Sequence, residues 1–147
     1  ALTLEEYFQQ VDDLQDDAED SIIGLEAPGD LGTTLEEQIE AEREFLEAIN
    51  SITRDYQKQL DNMDPPPEVQ KPHKELSNAI RDYLEANEDI PSRLTDVKSQ
   101  SELEDLLKEF REGPKVTAAS ERFQQACQQL QTIADDNNID VAMECED

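Results

Sequence analysis

A chain of 147 residues carrying 38 acidic against 12 basic side chains, a net charge of −26, is a poor candidate for binding DNA, RNA or an anionic membrane, all of which depend on Lys/Arg neutralisation of phosphate. Residues 1–42 hold fourteen carboxylates and no lysine or arginine before Arg43, so cations or a basic protein surface are the partners its electrostatics permit, and the charge favours a monomer. The length suits one domain with enough buried surface to fold without a metal, and no apolar run nears the ~18–20 residues that span a membrane.

Hydrophobic content of 35% and few aromatics would also suit a disordered chain. The spacing of the apolar residues argues otherwise. Thr3 and Glu6 form a capping box that opens a first helix over about 3–23. Leu4, Tyr7, Val11, Leu14, Ala18, Ser21 and Leu25 repeat at heptad spacing, widened by Phe8 and Ile22. Gly24 ends this helix and "EAPGDLG" reads as a loop. Thr34 and Glu37 repeat the box and open a second helix over 34–62, with Leu35, Ile39, Leu46, Ile49, Thr53, Tyr56, Leu60 and Met63 on one stripe beside Phe45 and Ile52. "DPPP" at 64–67 stops it.

A third helix over 66–98 carries Val69, Leu76, Ile80, Tyr83, Ile90, Leu94 and Val97. Pro72 is expected to end a first short turn or to kink the helix. The apolar register runs through Pro91 unchanged, which predicts a kink there and not a reversal. Ser101 and Glu104 are expected to open a fourth arm over 101–137, broken at Gly113-Pro114, where Pro114 suits a first helical position. Short connections between four helical arms predict an all-α, up-down-up-down four-helix bundle with kinked third and fourth arms.

Both cysteines lie at the end. Asn137-Asn138 is a suitable helix stop, since asparagine tolerates the left-handed conformation. From Cys127 to there a helix climbs about 15 Å, and residues 138–145 extend far enough, about 23 Å, to return. A tail over 138–147 is therefore expected to fold back, with Ile139, Val141 and Met143 covering the bundle and Cys145 bonded to Cys127. The closed loop stabilises by roughly 3 kcal/mol. A disulfide places the chain in an oxidising compartment, extracellular or periplasmic. The start at Ala1 is what a processed or trimmed form would show, with a leader or lipid anchor removed.

The stretch "ADDNNIDVAMEC" after a mid-helix cysteine, with "LTLEEYFQQ" and the proline-rich run before His73, resembles uncharacterised secreted or lipoprotein-type bacterial helical proteins. That resemblance implies export and an α-helical fold and carries no activity. Where glycine would be expected at the cap, this chain has Asn138.

Catalytic signatures do not appear. A di-iron bundle needs two Glu-x-x-His pairs, and the sole histidine, His73, follows Gln70. A haem held by His73 and Met63 rests on nothing beyond both residues existing, and no cofactor is expected. His73 reads as a hydrogen-bonded residue at the core edge. Nearly all carboxylates fall on solvated positions; Glu42 is one exception, on an inward position of the second helix, and reads as a bundle-edge residue. Two cation sites are conceivable. Asp13, Asp16, Asp17 and Asp20 share one outward helix face, where a metal would relieve repulsion. Asp136, Asn138, Asp140, Glu144 and Asp147 match spaced positions of a calcium loop, but Val141 stands where glycine makes the turn. The reading that fits best is a non-enzymatic exported helical bundle serving as an interaction or structural module. The alternatives are an acidic binder of divalent or trivalent cations, and a binder of a basic protein partner.

Overall fold

A computed structural model of the chain describes residues 1–25 and 34–145. The loop expected after Leu25, with Gly29 and Gly32, lies outside the described residues, as does Asp147. Helix α1, Leu4–Ile23, begins on the predicted box: the Thr3 hydroxyl accepts from the Glu6 N–H at 3.2 Å, and the Glu6 carboxylate accepts from the Thr3 N–H at 3.1 Å. Helix α2, Leu35–Asp61, has half of one. The Thr34 hydroxyl accepts from the Glu37 N–H at 3.3 Å, while the Glu37 carboxylate turns to that hydroxyl.

After the prolines, Pro67–Val69 makes a 3-10 turn and α3 spans Gln70–Asn87. Pro72 sits in the first turn of α3, where its missing N–H has no helical acceptor to serve. Helix α4, Ile90–Arg93, adds one turn, and Leu94–Asp96 tightens before Val97 becomes extended. Glu88 and Asp89 keep right-handed helical angles, so the arm bends at Pro91 without reversing, as its apolar register predicts. Helix α5, Gln100–Glu112, is capped two residues earlier than expected: Ser99, not Ser101, accepts from the Glu102 N–H at 3.1 Å, and Glu102 accepts from the Lys98 N–H at 2.9 Å. Gly113 then breaks the arm, and α6 spans Pro114–Asp136 with Pro114 first. A Cβ at Gly113 would stand 2.7 Å from the Glu109 carbonyl oxygen, so the break needs glycine for space.

These helices form a four-helix bundle with two cores. In the larger, α1, the second half of α2, α3 and α6 bury Tyr7, Phe8, Val11, Tyr56, Leu60, Leu76, Leu130 and their neighbours. In the smaller, Leu46 of α2, Ile90 and Leu94 around α4, and Leu103, Leu106 and Phe110 of α5 pack together. Helix α1 runs beside α2 from the latter's end, where the Leu2 N–H donates to the Asp64 carbonyl at 3.0 Å. It is shorter than α2 and takes no part in the second core, so four helices at one end give way to α2, α4 and α5 at the other.

The breaks in the third and fourth arms face each other, and two buried asparagines join them. Pro91 has no N–H for the Asn87 carbonyl one turn back, and Pro114 none for that of Phe110. The Asn50 side-chain amide donates to the Asn87 carbonyl at 3.2 Å, and the Asn87 side-chain amide donates to the Phe110 carbonyl at 3.1 Å. Each asparagine thus replaces a donor that a proline removed. Their own side-chain oxygens meet no partner among the described residues, a cost set against the two carbonyls they serve.

Candidate functional site

The C-terminal segment is built as the sequence predicts. Asn138 is left-handed (φ 57°). Its N–H donates to the Asp135 carbonyl at 3.1 Å, and the Ile139 N–H to the Ala134 carbonyl at 2.9 Å. Those two bonds make a full Schellman cap. The tail then returns along α6. The Gln131 side chain brackets it, donating to the Val141 carbonyl at 2.9 Å and accepting from the Met143 N–H at 2.7 Å. Ile139, Val141 and Met143 pack on the larger core, and Cys145 is disulfide-bonded to Cys127 with Cα atoms 5.3 Å apart. Gln15 of α1, buried, accepts from the Glu144 N–H at 3.1 Å. The tail is thereby tied to α1 as well as α6.

His73 is the core-edge residue the sequence suggests. Its Nε2 lies 2.9 Å from the Leu60 carbonyl, which can only accept, so Nε2 carries the proton. Nδ1 then accepts from the Tyr7 hydroxyl at 2.8 Å. Burial holds the imidazole below its ordinary pKa, opposed by the Leu60 bond and by Asp61. Glu42 lies half-buried at the rim of a pocket of about 390 Å³ with Phe45, Leu107 and Arg111. Burial raises its pKa and Arg111 opposes the rise.

A concavity opens where α1 ends. The heptad stripe of α1 is buried from Tyr7 to Gln15, after which Ala18 is only half-buried and Ile22 and Ile23 are 41% and 71% exposed. There the helix stands off from its neighbours and a cleft of about 1060 Å³ forms between α1, the middle of α2, α3, α6 and the tail. Ile22, Ile49, Ile52, Ile80, Phe123 and Met143 supply its apolar wall. At the tail end the lining turns polar, with Gln15, Glu19, Tyr56 and Glu144.

Tyr56 is 8% exposed, and its hydroxyl reaches toward Gln15 without meeting a partner at hydrogen-bond geometry among the described residues. Burial above all pushes its pKa up to about 12. Beside it, oxygens of Asp16, Glu19 and Glu144 lie within 4.8 Å of one another, the one such trio of possible metal ligands among the described residues. The Glu144 carboxyl is pushed up to about 7, first by a hydrogen bond with Glu19, then by burial and the charges of Glu19, Asp16 and Asp12.

Of the four aspartates singled out in the sequence, Asp16 alone joins this trio. Asp13, Asp17 and Asp20 stay exposed on α1, with Asp13 accepting from the Gln9 amide at 3.0 Å. Among the described calcium-loop residues no shared centre forms: Asn138 acts as the left-handed cap and Glu144 turns to α1. Glu19 and Glu144 could have been paired from sequence only by knowing that the returning tail lies beside α1 as well as α6. Comparison with known protein families, curated proteins and solved structures finds no match.

Proposed function

We propose that the chain is a non-enzymatic, exported binding module that takes a hydrophobic ligand in the cleft beside α1. The cleft itself carries this reading: it is concave, mostly apolar, has a few polar groups at one end and is of a size that suits a small molecule. A non-enzymatic role is supported by the commitments of the groups most used in catalysis. Both nitrogens of His73 are engaged and both cysteines are in the disulfide. The disulfide supports export to an oxidising compartment, and no described helix is long and apolar enough to cross a membrane. Titration with the neutral hydrophobic dye Nile red tests the reading. Saturable one-to-one binding with a blue-shifted emission is expected, lost in Ile52→Glu while the helical circular dichroism persists. No saturable binding, or equal binding to the variant, overturns it.

A second reading, capture of a divalent or trivalent cation, is favoured by the Asp16–Glu19–Glu144 trio. It requires terbium to raise the melting temperature well above what sodium does at equal ionic strength.

A further inference from the structure

We infer that the ligand of this cleft is an alkylammonium amphiphile, a primary or secondary amine whose apolar chain lies along the isoleucine wall and whose ammonium sits at the Glu19–Glu144 end. This rests on the binding-module reading above and names the ligand class for it. Three observations converge. The wall, with Ile49, Ile52, Ile80 and Phe123, accepts hydrocarbon. The carboxylates of Asp16, Glu19 and Glu144 cluster at one end, and none of the described lining residues is basic, so a fatty acid or alkyl sulfate headgroup would meet only like charge.

The third observation is Tyr56. Its hydroxyl is more than nine-tenths buried and unpartnered. Its neighbour Gln15 is already occupied, accepting from the Glu144 N–H and facing the Cys127 sulfur at 4.0 Å. Tyr56 thus adds a phenol oxygen to the carboxylate oxygens as acceptors at this end of the cleft. A nitrogen with N–H donors satisfies them, and a quaternary ammonium has no such donor. The titrating groups around Glu144 are Glu19, Asp16 and Asp12 of α1 and Tyr56 of α2; α6 presents Gln128, Gln131 and Thr132 to the same cleft.

Calorimetry at pH 7 with decylammonium, decyltrimethylammonium, decanol and decyl sulfate, each below its micelle concentration, tests the assignment. Decylammonium should bind at one site, about tenfold more tightly than the trimethyl compound or decanol, with decyl sulfate weakest. Tyr56→Phe should erase the preference for decylammonium over the trimethyl compound. Glu19→Gln/Glu144→Gln should weaken decylammonium about tenfold or more. Asp13→Asn/Asp17→Asn, which removes two carboxylates from α1 that do not line the cleft, should leave it within about twofold. The inference is overturned if the two double variants weaken binding equally, or if decyl sulfate binds as well as decylammonium. Decanol and Nile red binding with no gain from the ammonium sinks this assignment alone. Failure of all of them to bind sinks the cleft as a ligand site.

Discussion

The junction between the two cores makes a quantitative prediction. Asn50→Ala removes the donor that serves the Asn87 carbonyl, at a site where Asn50 is 1% exposed and Asn87 fully buried. A buried carbonyl left unpaired costs about 1–3 kcal/mol; the variant also removes the unpartnered Asn50 oxygen, so a net loss of about 2 kcal/mol is expected. Pro91→Ala supplies the missing N–H. Because Glu88 and Asp89 already have helical angles, that N–H points back at the Asn87 carbonyl. In the Pro91→Ala background, Asn50→Ala should therefore cost about 1–2 kcal/mol less than in the wild type. Urea unfolding of the four proteins, followed by circular dichroism with the disulfide intact, measures the coupling directly. Additivity within about 0.5 kcal/mol would refute the idea that the asparagine replaces a donor lost to proline.

Three further outcomes follow from the geometry. Cys145→Ser opens a loop of 18 residues and should cost about 3 kcal/mol in thermal or urea unfolding; an unchanged midpoint would show that the tail is held without it. Gly113→Ala drives a methyl against the Glu109 carbonyl and should lose about 1–3 kcal/mol, a prediction that fails if the variant matches the wild type. The pH dependence has two opposed parts. Glu144, its pKa raised, binds a proton more tightly folded than unfolded, so its contribution is present below the ordinary carboxylate range and is lost as pH rises through about 7. His73, its pKa lowered, contributes fully above the ordinary histidine range and loses that contribution as pH falls. Melting curves from about pH 5 to about pH 8 should therefore rise more steeply with pH in Glu144→Gln than in the wild type; parallel profiles would show that the carboxyl does not titrate as described.

Features governed by a single residue's chemistry were legible in the sequence. Thr3 and Thr34 announce their helices, Pro91 and Gly113-Pro114 mark the breaks, and Asn138 turns the chain back toward a cysteine partner. What stayed hidden depends on who the neighbour is. Heptad spacing gives the same weight to Leu14 and to Ala18, Ser21 and Leu25, but burial along α1 stops at Gln15 because the neighbouring helices fall away. The spacing shows which side of a helix is apolar and is silent on whether anything covers it, so the cleft could not be foreseen. Asn50, Asn87, Gln15 and Gln131 look like ordinary polar residues until the carbonyls and amides they serve are known. At α5 two serines competed for one role, and Ser99 prevailed because Glu102 also captures the Lys98 N–H.

The bond from the Glu144 amide to Gln15 joins positions 129 residues apart. That bond and the Cys127–Cys145 disulfide fasten one short segment to two helices at once. Reduction would free Cys145 from α6 and leave the hold of Glu144 on α1 to a single amide hydrogen bond, so the polar end of the cleft depends on the redox state of the disulfide.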